Sequence, residues 1–194
     1  CSFIPFLNRT FGGGFTVCSM LPIVLAAYRN GTKWGLLTGF VYAVVQMLLG
    51  FKTVSAFFMP GSDSYMVLWK AVCVCLIDYI IAYTVLGLGG IFRNKIKNPS
   101  VSLCVGSIFA LSLRYIAHII SGFIFFGTWA DWFFSQDGFT LGAKILEKFS
   151  GQGLAFLYSV IYNGLYMIPE IIITAIVALI IGRVPQISGR KNTK

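Results

Sequence analysis

The chain has 194 residues, of which 57% are hydrophobic and 11% charged, and its mean hydropathy is +0.83. So little charge cannot solvate the surface of a water-soluble domain of this length. The net charge of +9 comes from Lys and Arg in short segments between apolar runs, not from an aromatic-interleaved basic patch, which sets aside nucleic acid as a partner and points to a lipid bilayer.

Several nearly uncharged runs reach the roughly 18–20 residues needed to cross a bilayer core. They are continuous rather than alternating, so helices and not barrel strands satisfy the backbone in lipid. The expected fold is an all-α integral membrane protein, one transmembrane domain over residues 1–194 with no second soluble domain. Residues Cys1–Leu7 read as the end of an apolar segment, so a first helix is expected to be missing or truncated. The first complete helix is predicted over 15–28, closed by Arg29-Asn30-Gly31, and the second over 33–50. From Gly31 into the second, Gly31, Gly35, Gly39 and Ala43 recur every four residues and make a smooth stripe, suited to internal packing or to docking of a partner membrane subunit.

A loop with Pro60-Gly61-Ser62-Asp63 leads to a third helix over 65–92, and the basic turn Arg93–Pro99 leads to a fourth over 101–127. A wetter stretch, 128–153, carries Trp129, Trp132, Phe133 and Phe134, placed to form an interfacial belt or a lid. The last helix covers 154–182, before a basic tail from about 183. That makes five complete helices, six with the segment expected to be lost.

Alternate loops differ in charge. Arg29, Lys33, Arg93, Lys95, Lys97, Arg183, Arg190, Lys191 and Lys194 fall on one side with no acid, whereas Arg9, Lys52, Lys144 and Lys148 share the other with Asp63, Asp131, Asp137 and Glu147. The positive-inside rule makes the first side cytoplasmic, C-terminus included, in a multi-pass plasma-membrane protein. Cys1, Cys18, Cys73, Cys75 and Cys104 lie in or beside apolar stretches without a metal-completing neighbour, and read as small apolar residues. No catalytic, nucleotide-binding, metal or cofactor motif is present.

An ionisable side chain inside the bilayer costs about 2.5–3.5 kcal/mol and marks a cavity or a partner. Asp78-Tyr79 lies in the middle of the third helix, and Arg114 and His118 lie four apart on one face of the fourth. Ser159, Asn163, Tyr166 and Glu170 share a face of the last helix, with Tyr158 and Tyr162 beside them. Glu170 lies deeper toward the cytoplasm, whereas counting inward from the loops places Asp78 near mid-membrane and His118, Tyr158 and Asn163 in the outer half, with Arg114 slightly deeper. There they converge on a pocket suited to a small, flat, nitrogen-rich cation: carboxylates accept from ring amines and aromatic faces attract positive charge. A purely structural Asp78–Arg114 ion pair is the alternative for those two residues, and Glu170, following Pro169, suits a structural role as well as a functional one.

The strings Leu76-Ile77-Asp78-Tyr79-Ile80-Ile81-Ala82, Leu113-Arg114-Tyr115-Ile116-Ala117-His118-Ile119-Ile120-Ser121-Gly122 and Tyr158-Ser159-Val160-Ile161-Tyr162-Asn163 resemble the thiamine-specific S-components of energy-coupling factor transporters. The resemblance extends to Gly12-Gly13-Gly14, Ser19-Met20-Leu21-Pro22-Ile23 and Arg29 through Gly50, Gln46 included. It implies six helices, capture of thiamine from outside, and a shared module of one transmembrane coupling protein and two cytoplasmic ATPases. It also implies that Asp78 is the ligand-binding carboxylate with Tyr79 beside it, that Arg114 and His118 are the basic pair, and that Tyr158 and Asn163 complete the site. Some members carry a ligand-stacking aromatic eight residues after the histidine; Phe126 occupies that place here, with Trp129 nearby. The family's coupling motif lies in its first helix, the one expected to be missing or truncated here, and the longer 51–70 and 128–153 segments leave Tyr65 and Trp69 as unaligned candidates. Two other classes compete with a binding subunit: a proton-coupled carrier using Asp78, Arg114 and His118 as a relay, and a membrane protein whose buried charges are only structural. No internal repeat of the kind that marks many secondary carriers is visible.

Overall fold

The computed structural model describes residues 18–136 and 139–185. The expectations for Cys1–Leu7 and Gly12–Gly14, and the charges of Arg9, Asp137, Arg190, Lys191 and Lys194, lie outside the described residues. Among the described residues there are helices and no strand: α1 (Leu21–Asn30), α2 (Thr32–Leu49), α3 (Phe51–Ala56), α4 (Leu68–Phe92), α5 (Pro99–Phe125), α6 (Ala130–Phe134), α7 (Gly142–Lys148) and α8 (Gly151–Ile181). Of these, α2, α4, α5 and α8 are long and apolar enough to cross a bilayer. The protein is an all-α, multi-pass membrane protein.

The first expected helix differs from its predicted bounds. Cys18 has a left-handed backbone, φ 55°, through which a helix does not run. Pro22 sits in the first turn of α1, where a missing N–H costs nothing. The helix therefore starts at Leu21 and ends at Asn30, against Gly31 at φ 96°. Its 10 residues rise only about 15 Å, half a bilayer core, so its described part is a buried wedge and not a full span. The 51–70 segment, expected as loop, contains α3, and 128–153 contains α6 and α7.

The glycine stripe of α2 is consumed inside the protein. Gly35, Gly39 and Ala43 are its buried residues, whereas Trp34, Leu37, Val41, Val45 and Leu48 face outward. A Cβ on Gly39 would lie 3.0 Å from Thr84 Cα and against the Tyr83 carbonyl, and one on Gly35 would strike Ala27 and Gly87. Close backbone approach between α2 and α4, not docking of a partner, accounts for the spacing. α4 changes winding along its length: α-helical over Leu68–Val74, a π segment over Cys75–Ile81, one α turn over Ala82–Thr84, and a 3₁₀ segment over Val85–Phe92. Its Gly87, Gly89 and Gly90 are buried against α2, α5 and α1.

The Asn98 carboxamide caps α5, accepting from the Ser100 amide at 3.0 Å, with Pro99 in the first turn. Outward faces of α5 and α8 carry Ile116, Ile120, Ile124 and Ile168, Ile172, Ile176, four apart and about half exposed, as lipid-facing stripes should be. Their inward faces carry Arg114, Ala117, Ser121 and Gly122 opposite Ser159, Asn163, Glu170 and Thr174, all buried.

Exposed Arg29, Lys33, Arg93, Lys95, Lys97 and Arg183 gather at one end of the bundle, where the Arg93 guanidinium donates to the Arg29 carbonyl and Gly182 abuts Ser100. The opposite end is built from α3, α6 and α7. Phe133 and Phe134, expected in a belt or lid, are instead fully buried there with Leu154 and Tyr158, while Trp129 and Trp132 stay exposed at 41% and 49%.

Candidate functional site

A cavity of about 530 Å³ opens among α2, α4, α5 and α8, within the roughly 300–1,000 Å³ typical of small-molecule sites. Asp78 lies on its wall ten residues into the 25-residue α4, about 15 Å from the helix start and therefore near the middle of that apolar span. It stands in the π segment, whose wider turn separates it from the packing register of the flanking α turns. His118 Nδ1 is 2.8 Å from Asp78 Oδ1, and the Ser121 hydroxyl donates to Asp78 Oδ2 at 2.5 Å. A carboxylate only accepts, so His118 donates from Nδ1 and its Nε2 is left free for another partner. That Nε2 is buried without a hydrogen-bond partner.

Arg114 also lines the cavity, but its charge partner is Glu170, at 3.7 Å, and not Asp78 as expected for a structural pair. The guanidinium lies over the Tyr83 ring, 4.7 Å from its centroid. Four positions along α5 (114, 118, 121 and 122) thus serve the site from one face. Close approach of α5 and α8 depends on Gly122, since a Cβ there would collide with the Ser159 hydroxyl. Ser159 in turn donates to the Ile119 carbonyl at 2.7 Å.

Asn163 faces the cavity, yet its amide is engaged by the protein. Nδ2 donates to the Ser159 carbonyl at 2.8 Å and the His118 carbonyl at 3.2 Å, and Oδ1 accepts from the Tyr166 hydroxyl. Tyr158 and Tyr162 stack at 5.4 Å, Tyr162 meets Tyr166 edge-on, and Tyr166 meets His118 at 6.2 Å. One wall is therefore a continuous run of rings, with Tyr79 and Tyr83 facing from α4 and Phe57 packed on Phe126 at 6.4 Å.

Seven of the eight residues singled out from sequence line this one cavity: Asp78, Tyr79, Arg114, His118, Phe126, Tyr158 and Asn163. Trp129 does not. It lines a second, outer cavity of about 970 Å³ together with Asp63, Tyr65, Lys70 and Trp132. The two cavities share Phe126, Tyr158 and Tyr162, which makes the outer one a vestibule to the inner. Trp69 packs on Phe125 and lines neither. Ser121, Tyr83, Phe57 and Gly122 were given no role from sequence. Ser121 was detectable, three and seven residues beyond His118 and Arg114 on one helical face; Phe57, next to the short α3, carries no periodic signal.

The family model of the Thiamine transporter protein (Thia_YuaJ) matches residues 1–135. That stretch contains Asp78, Tyr79, Arg114, His118, Phe126 and Trp129, with Tyr158 and Asn163 beyond it. The chain is also 32% identical over 181 residues to "Thiamine transporter ThiT" of Bacillus subtilis (strain 168), covering 89% of this chain and 76% of that relative.

Proposed function

Because the chain belongs to the thiamine transporter family, we propose that it is the thiamine-capturing membrane subunit of an ATP-driven vitamin importer of the energy-coupling factor type. It takes thiamine from the extracellular side, holds it between α4, α5 and α8, and is energised by a transmembrane coupling protein with two cytoplasmic ATPases. In this reading it binds and carries without transforming its ligand, so it is not an enzyme.

The observation that carries the reading is Asp78: a carboxylate near the middle of an apolar span, held by His118 and Ser121, on the wall of a cavity lined with aromatic rings. Thiamine joins an aminopyrimidine to a positively charged thiazolium. A carboxylate accepts from the amine or balances the cation, and tyrosine faces at Tyr79, Tyr158 and Tyr162 suit both rings. The Arg114 charge is met by Glu170, and the amide of Asn163 buttresses the wall between α5 and α8.

Extracellular capture is supported by charge. The basic cluster of Arg29, Arg93, Lys95, Lys97 and Arg183 marks the cytoplasmic end by the positive-inside rule, which leaves the C-terminus inside. The vestibule with Asp63 and Trp129 then opens on the other face. The Asp78–His118 hydrogen bond is also the kind of pair a proton-coupled carrier uses, and transport separates the two mechanisms. Proteoliposomes holding the chain with the coupling protein and both ATPases should accumulate thiamine only when ATP is supplied. Accumulation by the chain alone, driven by a proton gradient, would replace the ATP-driven mechanism with the carrier.

A further inference from the structure

Among the described residues, the cavity lining contains one carboxylate, Asp78, and one guanidinium, Arg114, and no other formally charged side chain. Behind Arg114, outside the lining, Glu170 is 2% exposed and stands 3.7 Å from Nη1. With histidine counted as neutral, the two acids and one base named here, all described residues, sum to a single net negative charge in and just behind the cavity. Among the described residues, Tyr83 covers the face of Arg114, and its Nε and Nη1 make no hydrogen bond. Between groups as buried as Arg114 and Glu170, unit charges a few ångströms apart interact strongly, so whether Arg114 is neutralised from behind decides the potential a ligand meets.

We infer that Glu170 is a specificity-determining residue that never touches the ligand: by neutralising Arg114 from behind the wall, it leaves Asp78 as an uncompensated anion and sets the site for a monocation over phosphate esters of the same compound. The inference rests on the thiamine reading above. Without Glu170, Arg114 and Asp78 cancel within the cavity, and the guanidinium becomes a ready partner for phosphate oxygens. A phosphate monoester adds close to two negative charges at neutral pH, so the discrimination is electrostatic in sign and size. Glu170 is thus a positioning residue acting through Arg114.

The test is the ratio of dissociation constants for thiamine monophosphate and thiamine, measured by calorimetry on the purified full chain. Taking the ratio within one variant removes the effect of partial unfolding. In Glu170→Gln the ratio should fall by at least about tenfold. In the double variant Arg114→Gln/Glu170→Gln, which restores one net negative charge, it should return to within about threefold of the parent. A ratio unchanged in Glu170→Gln overturns the inference and leaves the thiamine reading standing. Should Glu170→Gln give no folded protein, the double variant decides: a ratio displaced more than about tenfold from the parent means that Arg114 itself reads the ligand, and overturns the inference. A parent that binds neither compound overturns it together with the reading beneath it.

Discussion

Replacing Asp78 with Asn keeps the shape of the side chain and removes its charge. Two protein donors converge on the carboxylate, His118 Nδ1 at 2.8 Å and Ser121 Oγ at 2.5 Å. An amide offers one acceptor oxygen, so one donor meets Nδ2–H₂ instead. A buried donor without an acceptor costs about 1–3 kcal/mol. The Ser121 hydroxyl can rotate to accept from Nδ2, which places the stability loss at the low end of that range. The ligand loses more: one charge-assisted hydrogen bond, about 1.5–3 kcal/mol, or roughly ten- to over a hundredfold in Kd. Thermal melting without ligand reads the first effect, and calorimetric titration with thiamine reads the second. An Asp78→Asn protein that melts several degrees early but binds thiamine like the parent would refute the reasoning, and Asp78 would then serve only to tie α4 to α5.

Ser121→Ala removes one of the two donors that orient Asp78 and should weaken thiamine binding about three- to tenfold by calorimetry, with Ser121→Thr recovering most of the loss. Gly39→Ala pushes a methyl group against the α4 backbone, 3.0 Å from Thr84 Cα, and should destabilise the bundle by about 1–3 kcal/mol in a melting experiment. Trp129→Ala, confined to the vestibule, should change the thiamine Kd less than about threefold, whereas Phe126→Ala, at the boundary of both cavities, should weaken it at least tenfold. Equal losses from Trp129→Ala and Phe126→Ala would move the ligand outward into the vestibule.

Much of the architecture is legible in the sequence because the bilayer imposes simple rules. Uncharged runs of span length give α2, α4, α5 and α8 to within a few residues. Helical spacing puts Arg114 and His118 on one face and Ser159, Asn163 and Glu170 on another. Charge partners were less legible, because spacing within a helix says nothing of rotation between helices: Arg114 is met by Glu170 from α8, and Asp78 by His118 and Ser121 from α5. Composition also hid the π segment under Asp78, since Cys75–Ile81 reads as an ordinary apolar helix. The aromatics of 128–153 divide according to tertiary packing, which no local pattern encodes: Phe133 and Phe134 are core, Trp129 and Trp132 surface. Gly35 and Gly39 illustrate the same limit. Their spacing announces close helix packing, and only the fold shows that α4 is the helix that approaches.

The most direct measurement is a calorimetric titration of thiamine into the purified chain in detergent, with no nucleotide and no partner subunit present. The cavity residues Asp78, His118, Phe126 and Tyr158 all belong to this chain, so saturable binding of one thiamine per chain is expected, lost or strongly weakened in Asp78→Asn. No heat with thiamine, together with a clear signal from a different vitamin, would contradict the assignment of thiamine as the ligand.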